Sequence, residues 1–277
     1  MLWLAPLLFI STAPESRPLL LPEDITTRQR DLRKLPLGER IKGHSDPWLG
    51  RSYSTGPIGE GGGFDSDPMV RFDTFDCLTF VEEVLSLSLA PDPVSTQHIR
   101  LALRYKKGEP KYENRRHFML AEWIPDLIAE GWLKDLTPRY SGAIRIRREV
   151  SLATWKKWSQ REEFGIDDSR FPVGVQEFWY LPIDRALDIV DSIPDGAILF
   201  TVRQPRIENP IVITHVGIKI PGKKPTMRHA STLGEGGIKD NDLKWYLDYL
   251  KSFEDWPAVG IIILMPLDFG PRKNTFK

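Results

Sequence analysis

The amino-acid sequence predicts an α+β fold, and three observations carry that expectation. Residues 78–89 are apolar around most of a helical circumference, as a helix buried inside a domain is. Segments rich in β-branched residues crowd into the last third of the chain, at 197–202, 211–220, 226–231 and 259–265. Helices thus come first and an antiparallel sheet later, which is the order of an α+β domain rather than of alternating strand and helix units.

Taken in order, the chain opens on an apolar run at residues 2–10, followed by Ser11, Thr12 and Ala13. The pattern resembles the apolar region and small-residue cleavage zone of an export signal, without the usual basic residues before it. The run is too short to cross a bilayer. It predicts a periplasmic or secreted protein, and a cytoplasmic one only if it is not such a signal. Residues 14–48 read as an N-terminal arm with a helix-like stretch at 25–35, and Gly59, Gly61, Gly62 and Gly63 mark a loop. The buried helix ends before Pro91 and Pro93.

Residues 115–131 predict a second helix, with Phe118, Ala121, Ile124 and Ile128 toward one side, a kink or restart at Pro125 and a stop at Gly131. Residues 137–194 read as an insertion beside the core. There Ile144 and Ile146 alternate with Arg145 and Arg147 like an edge strand, while Trp155, Trp158, Phe178, Trp179 and Tyr180 are either core or a platform for sugar rings. A last helix is expected at 242–253, one principal domain covers 49–266, and 267–277 is a tail.

Composition narrows the function. Thirty-eight basic residues balance thirty-eight acidic ones, so no global field would hold nucleic acid or draw the chain to an anionic membrane. Arg115 with Arg116, and Arg145 with Arg147 and Arg148, read as solvated surface. The single cysteine forbids an intramolecular disulfide and a multi-cysteine zinc site.

The surroundings of that cysteine give it a role. Asp76 is a good N-cap and Phe75 stands five residues before Phe80, the spacing of a hydrophobic staple, so Cys77 is expected at the first helical position. A thiol there feels the positive end of the helix and unpaired N–H groups, which favour the thiolate. A base comes from the strand at 211–220, where alternation puts Val212, Val216, Ile218 and Ile220 on one face and His215 with Gly217 on the other. Gly217 is expected to make room on that face for the helix that brings Cys77 to His215. If Pro221 to Pro225 turn a hairpin that pairs Ile220 with Thr226, His229 lies diagonal to His215 and can fix its tautomer. His117 reads as substrate-facing or structural, and His44 and His98 have no evident partner.

Phe75-Asp76-Cys77 opening a buried helix, Thr214-His215-Val216-Gly217-Ile218 and Arg228-His229-Ala230-Ser231 together resemble the NlpC-like cell-wall cysteine amidases, which have a papain-like fold. The finer resemblance is to the branch of N-acetylmuramoyl-L-alanine amidases that act on small, often anhydro, muropeptides. Leu49-Gly50-Arg51-Ser52-Tyr53, Arg115-Arg116-His117-Phe118 with Trp123-Ile124, Asp195-Gly196-Ala197-Ile198 and Gly260-Ile261-Ile262 extend it over residues 49–266. The resemblance implies Cys77 as nucleophile, His215 as general base and acid, His229 as the orienting residue and Tyr53 as an oxyanion donor beside the Cys77 N–H. It also implies peptidoglycan fragments as partners, no cofactor or metal, and the amide between N-acetylmuramic acid and L-alanine as the bond. The γ-D-glutamyl link is the enzymatic alternative and a non-catalytic wall-binding module the other. Arg115, Arg116 and His117 are expected to hold a peptide carboxylate or sugar hydroxyls, with Trp123 covering the sugar; a helix that merely packs is the competing expectation. Ser52, Thr214 and Met265 stand where the branch usually has Pro, Ser and Arg, which bears on specificity.

Overall fold

The computed structural model describes residues 22–268. The apolar run at 2–10 and nearly all of the expected tail lie outside the described residues. The elements are α1 (Pro22–Leu32), α2 (Leu37–Ser45), β1 (Ser52–Tyr53), β2 (Thr74–Phe75), α3 (Cys77–Leu89), α4 (Pro93–Arg104), a π-helical turn (Met119–Trp123) leading into α5 (Ile124–Ala129), β3 (Leu133–Asp135), β4 (Ile144–Val150), α6 (Leu152–Lys157), β5 (Gly174–Pro182) and α7 (Ile183–Ile189). Then come β6 (Ile198–Arg203), β7 (Ile213–Ile220), β8 (Thr226–Ser231), β9 (Gly237–Asp242), α8 (Leu243–Leu250) and β10 (Ala258–Pro266). The fold is α+β, built on an antiparallel eight-stranded sheet in the order β4-β5-β10-β6-β7-β8-β9, with β3 also pairing with β10.

Strand alternation divides the core between the two faces of this sheet. Ile198, Phe200, Val216, Ile218 and Ile262 pack with the apolar side chains of α3, while Leu199, Met227, Ile261 and Ile263 pack with α7 and α8. Twelve of the thirteen residues of α3 are buried, as its all-round apolar pattern requires. Two of them are Glu82 and Glu83, whose charges meet Arg104 and Arg100 of α4 at 2.9 and 2.6 Å. Those guanidinium forks offset a desolvation cost that either carboxylate alone would not survive.

Three expectations change here. Residues 22–48 of the expected N-terminal arm pack into the fold, since Ile41 and Trp48 are fully buried and the Arg228 guanidinium reaches from β8 to Ser45 and Asp46 at 2.8 and 2.7 Å. The second helix does not begin at Arg115, which forms a β-bridge with Tyr105; helical backbone starts at Met119, and the Trp123 N–H bonds Phe118 five residues back. Pro125 has no N–H to continue a regular ladder, so the wide turn and the restart at α5 follow. The expected insertion is a sheet extension: β5 pairs with β10 and β4 with β5. Of its aromatics, Trp155 and Trp158 join a small satellite core in which Trp155 and Phe171 stack 4.4 Å apart, while Phe178 and Tyr180 pack with the main core.

Candidate active site

The turn from β2 into α3 is closed by reciprocal bonds. The Thr79 N–H donates to Asp76 at 2.7 Å, and the Asp76 N–H donates to the Thr79 hydroxyl at 3.0 Å. Phe75 packs edge-on against Phe80 and both touch Trp48, so the entry angle of the helix is fixed. Cys77 is therefore the first residue of α3. N–H groups of Val216, Leu78 and Cys77 itself are directed at its sulfur. They do not win: burial, with Asp76 adding to it, pushes the thiol up to about 12. At that value the group rests as a thiol, where the sequence suggests a thiolate.

On β7, Thr201 pairs with His215 but Val202 pairs with Ile213, so the strand carries an extra residue just before His215. This bulge lets Val212 and Ile213 both join the α3-side core while His215 turns toward α8. The hairpin that follows has Ile220 opposite Thr226, the register the sequence suggests. His229 then lies diagonal to His215, and the two rings meet nearly at right angles with Nε2 of His215 2.6 Å from Nδ1 of His229.

Gly217 serves this pair and not the helix. A side chain there would come 2.4 Å from Met227 and 2.9 Å from the Cβ of His229. The Cys77 thiol instead meets β7 past the end of the β7–β8 ladder, which stops at Ile218 and Arg228, where the Val216 N–H is left to donate to sulfur.

A third partner was not evident in the sequence. Nε2–H of His229 donates to Oδ1 of Asn241 at 2.7 Å. With that proton on Nε2, Nδ1 of His229 accepts from Nε2–H of His215, and the remaining nitrogen of His215, Nδ1, carries a lone pair. Burial first, then His229 and Arg203, lower the His215 pKa to about 3; burial lowers His229 to about 4. Both rings are neutral near pH 7. Tyr246 packs against both, with its hydroxyl 2.7 Å from that of Thr201. Tyr53 lies within electrostatic reach of the thiol, and burial, Cys77 and Asp76 push its phenol up to about 12, so it remains a donor.

The family model described as AmiA-like, N-acetylmuramoyl-L-alanine amidase-like, matches residues 44–253. The chain belongs to this family. Solved structures agree on the fold. A Legionella pneumophila protein is 25% identical, with a TM-score of 0.76 over 88% of this chain and 94% of its own. An N-acetylmuramoyl-L-alanine amidase from Bacteroides uniformis is 21% identical, with a TM-score of 0.68 over 83% of this chain and 98% of its own. No curated protein matches.

The residues expected to hold substrate in this amidase-like chain have partners within the fold. Arg116 is buried, bonded to Asp126, Glu130 and the carbonyls of Ala102 and Tyr105, and so ties the end of α4 to α5. Trp123 is fully buried and donates to Glu82 at 3.0 Å. Arg115 is neutralised by Glu60 and Asp65 of the glycine-rich loop, and Nε2–H of His117 donates to the Tyr112 carbonyl at 2.9 Å. Arg116 and Trp123 are thus buried braces, the packing alternative to a ligand-facing role, while Arg115 and His117 stay only partly buried. The opening nearest the chemistry is instead a cavity of about 280 Å³ on the α8 side, lined by His215, Tyr246, Arg203, Thr214, Leu233 and Phe253 among others. His44 is a core histidine, lowered to about 4 by burial and then Arg28 and Arg40.

Proposed function

We propose that the chain is a cysteine-nucleophile hydrolase with an NlpC-type, papain-like core, cleaving the amide between the lactyl group of N-acetylmuramic acid and L-alanine in small peptidoglycan fragments. The observation that carries the reading is the Asn241–His229–His215 chain of hydrogen bonds, which leaves one unprotonated nitrogen on His215, the residue before the Val216 N–H that donates to the Cys77 sulfur. Because thiol and imidazole are both neutral at rest, the proton passes to His215 as sulfur attacks the carbonyl, not before. The Tyr53 hydroxyl donates to the oxyanion of the tetrahedral intermediate. His215, now cationic and steadied through His229, gives its proton to the leaving amine. Water then attacks the thioester with His215 as base, releasing the carboxylate and restoring the thiol.

The choice of bond rests on family membership, since a Cys and His pair is indifferent to which amide it cuts. Digesting a disaccharide-tetrapeptide and weighing the products tests it. Free disaccharide and a peptide beginning with L-alanine are expected; a disaccharide still carrying L-alanine and D-glutamate would move the cut to the γ-glutamyl link. The apolar segment at 2–10 supports work in the periplasm or outside the cell. Sequencing the N-terminus of the mature protein tests this, and an intact Met1 on cytosolic protein would overturn it.

A further inference from the structure

We propose that the cavity on the α8 side is a carboxylate-binding subsite, in which Arg203 reads a free carboxylate on the leaving peptide. The inference rests on the amidase reading above and adds what part of the substrate that site selects.

The guanidinium of Arg203 is held flat rather than left to wander. Its Nε donates to the Thr214 hydroxyl at 3.2 Å and its Nη1 to the Trp256 carbonyl at 2.8 Å, while its Cζ lies 4.0 Å from the centroid of the Phe253 ring. Nη2 makes no hydrogen bond among the described residues, so one arm of the fork is left for a ligand. Half-buried Arg148 bonds the Asn209 carbonyl and, among the described residues, no carboxylate, while the more deeply buried Arg100, Arg104, Arg116 and Arg228 each meet a carboxylate. Arg203 does not, and none of the residues lining its cavity is acidic. Burial lowers its pKa, as it does for a cation without a counter-ion. A guanidinium presented in this way matches a planar carboxylate in charge and geometry.

The position along the substrate follows from His215, which lines the same cavity. The group that protonates the leaving amine lies on the leaving-group side of the thiol, so the cavity receives the released peptide. At about 280 Å³ it suits a short peptide segment better than a disaccharide. In the stem peptide the second residue, D-glutamate, is joined onward through its γ-carboxyl group. Its α-carboxylate therefore stays free, close to the amide being cut, unless it is amidated to isoglutamine.

The paired ligands N-acetylmuramoyl-L-alanyl-D-isoglutamate and N-acetylmuramoyl-L-alanyl-D-isoglutamine differ only in that group. Calorimetry on the Cys77→Ala protein, which binds without turnover, should give about tenfold or tighter binding of the carboxylate form. Adding Arg203→Ala should erase the ratio, and Arg203→Lys should retain part of it, since a charge remains without the fork. Equal or undetectable binding of the two forms, or a ratio that survives Arg203→Ala, overturns the proposal. Using the ratio cancels any general disturbance of the site. The masses of products from the native protein report the bond separately, so a carboxylate preference with the wrong products would retain this subsite and discard the amidase assignment.

Discussion

Glu83 on the α3 side of the sheet is as deeply buried as His229 on the α8 side, yet the two regions handle ionisable groups in opposite ways. Around α3 the charges are kept and cancelled: Glu82 and Glu83 remain against Arg100 and Arg104 in a closed ionic cluster. Where α3 begins and where β7 and β8 face α8, the charges are refused: Cys77 stays a thiol, and His215 and His229 stay neutral and joined by single hydrogen bonds. An ion pair holds its protons in fixed places and so serves as an anchor. A chain of neutral donors and acceptors can pass a proton along, which is what acyl transfer requires.

The contrast can be broken at several points, of which the thiol gives the largest effect. Cys77→Ala and His215→Ala should each lower hydrolysis by about 10³ or more while the melting temperature stays near that of the native chain. Near-native turnover by either variant would remove that residue from the chemistry. On the other side, Glu83→Ala leaves Arg100 buried without its partner and should cost about 3–5 kcal/mol in denaturant unfolding. The protein that remains folded should keep its turnover, and a small stability loss would mean that the cluster does not anchor α3.

Asn241 should show a smaller kinetic effect. Asn241→Leu removes the acceptor that sets the His229 tautomer and should lower turnover roughly 10- to 100-fold. Asn241→Asp still accepts from Nε2–H and should recover much of that loss, with the acid limb of the pH profile moved upward by the added negative charge. A leucine variant as active as the native chain would cut Asn241 out of the relay.

A further expected effect is on stability against pH. His44 and His229 in the folded chain sit at about 4 and His215 at about 3, all below the usual 6.5. The unfolded chain therefore takes up these protons first as the pH falls. The stabilisation is complete above about pH 6.5 and is lost progressively toward pH 4 to 3, amounting to up to about 2 kcal/mol per histidine by pH 5. A melting temperature unchanged between pH 7 and pH 5 would contradict buried, neutral rings.

The parts of this molecule that could be read from the sequence were those in which local pattern and tertiary role agree. The cap at Asp76, the apolar helix after it and the pairing of Ile220 with Thr226 are decided by neighbours a few residues away. Asn241 escaped because β9 reads Gly-Ile-Lys-Asp-Asn-Asp, with little β-propensity, and becomes a strand only by pairing with β8. The bulge before His215 escaped for a related reason: alternation through Val212 looks regular until one extra residue is absorbed. Arg116 and Trp123 misled because arginine and tryptophan near a nucleophile look like ligand-binding groups. Only the long-range partners, Asp126 and Glu130 for one and Glu82 for the other, reveal them as braces.

One feature of β8 links the N-terminal helices to the site. Arg228 and His229 are consecutive, so their side chains leave opposite faces of the strand. The first is clamped by Asp240, Asp46 and Ser45, and the second carries the relay. The guanidinium thus acts as a set screw for the imidazole one residue on: backing it out, even by a change in α2 that touches no reacting atom, would detune the hydrogen bond to His215.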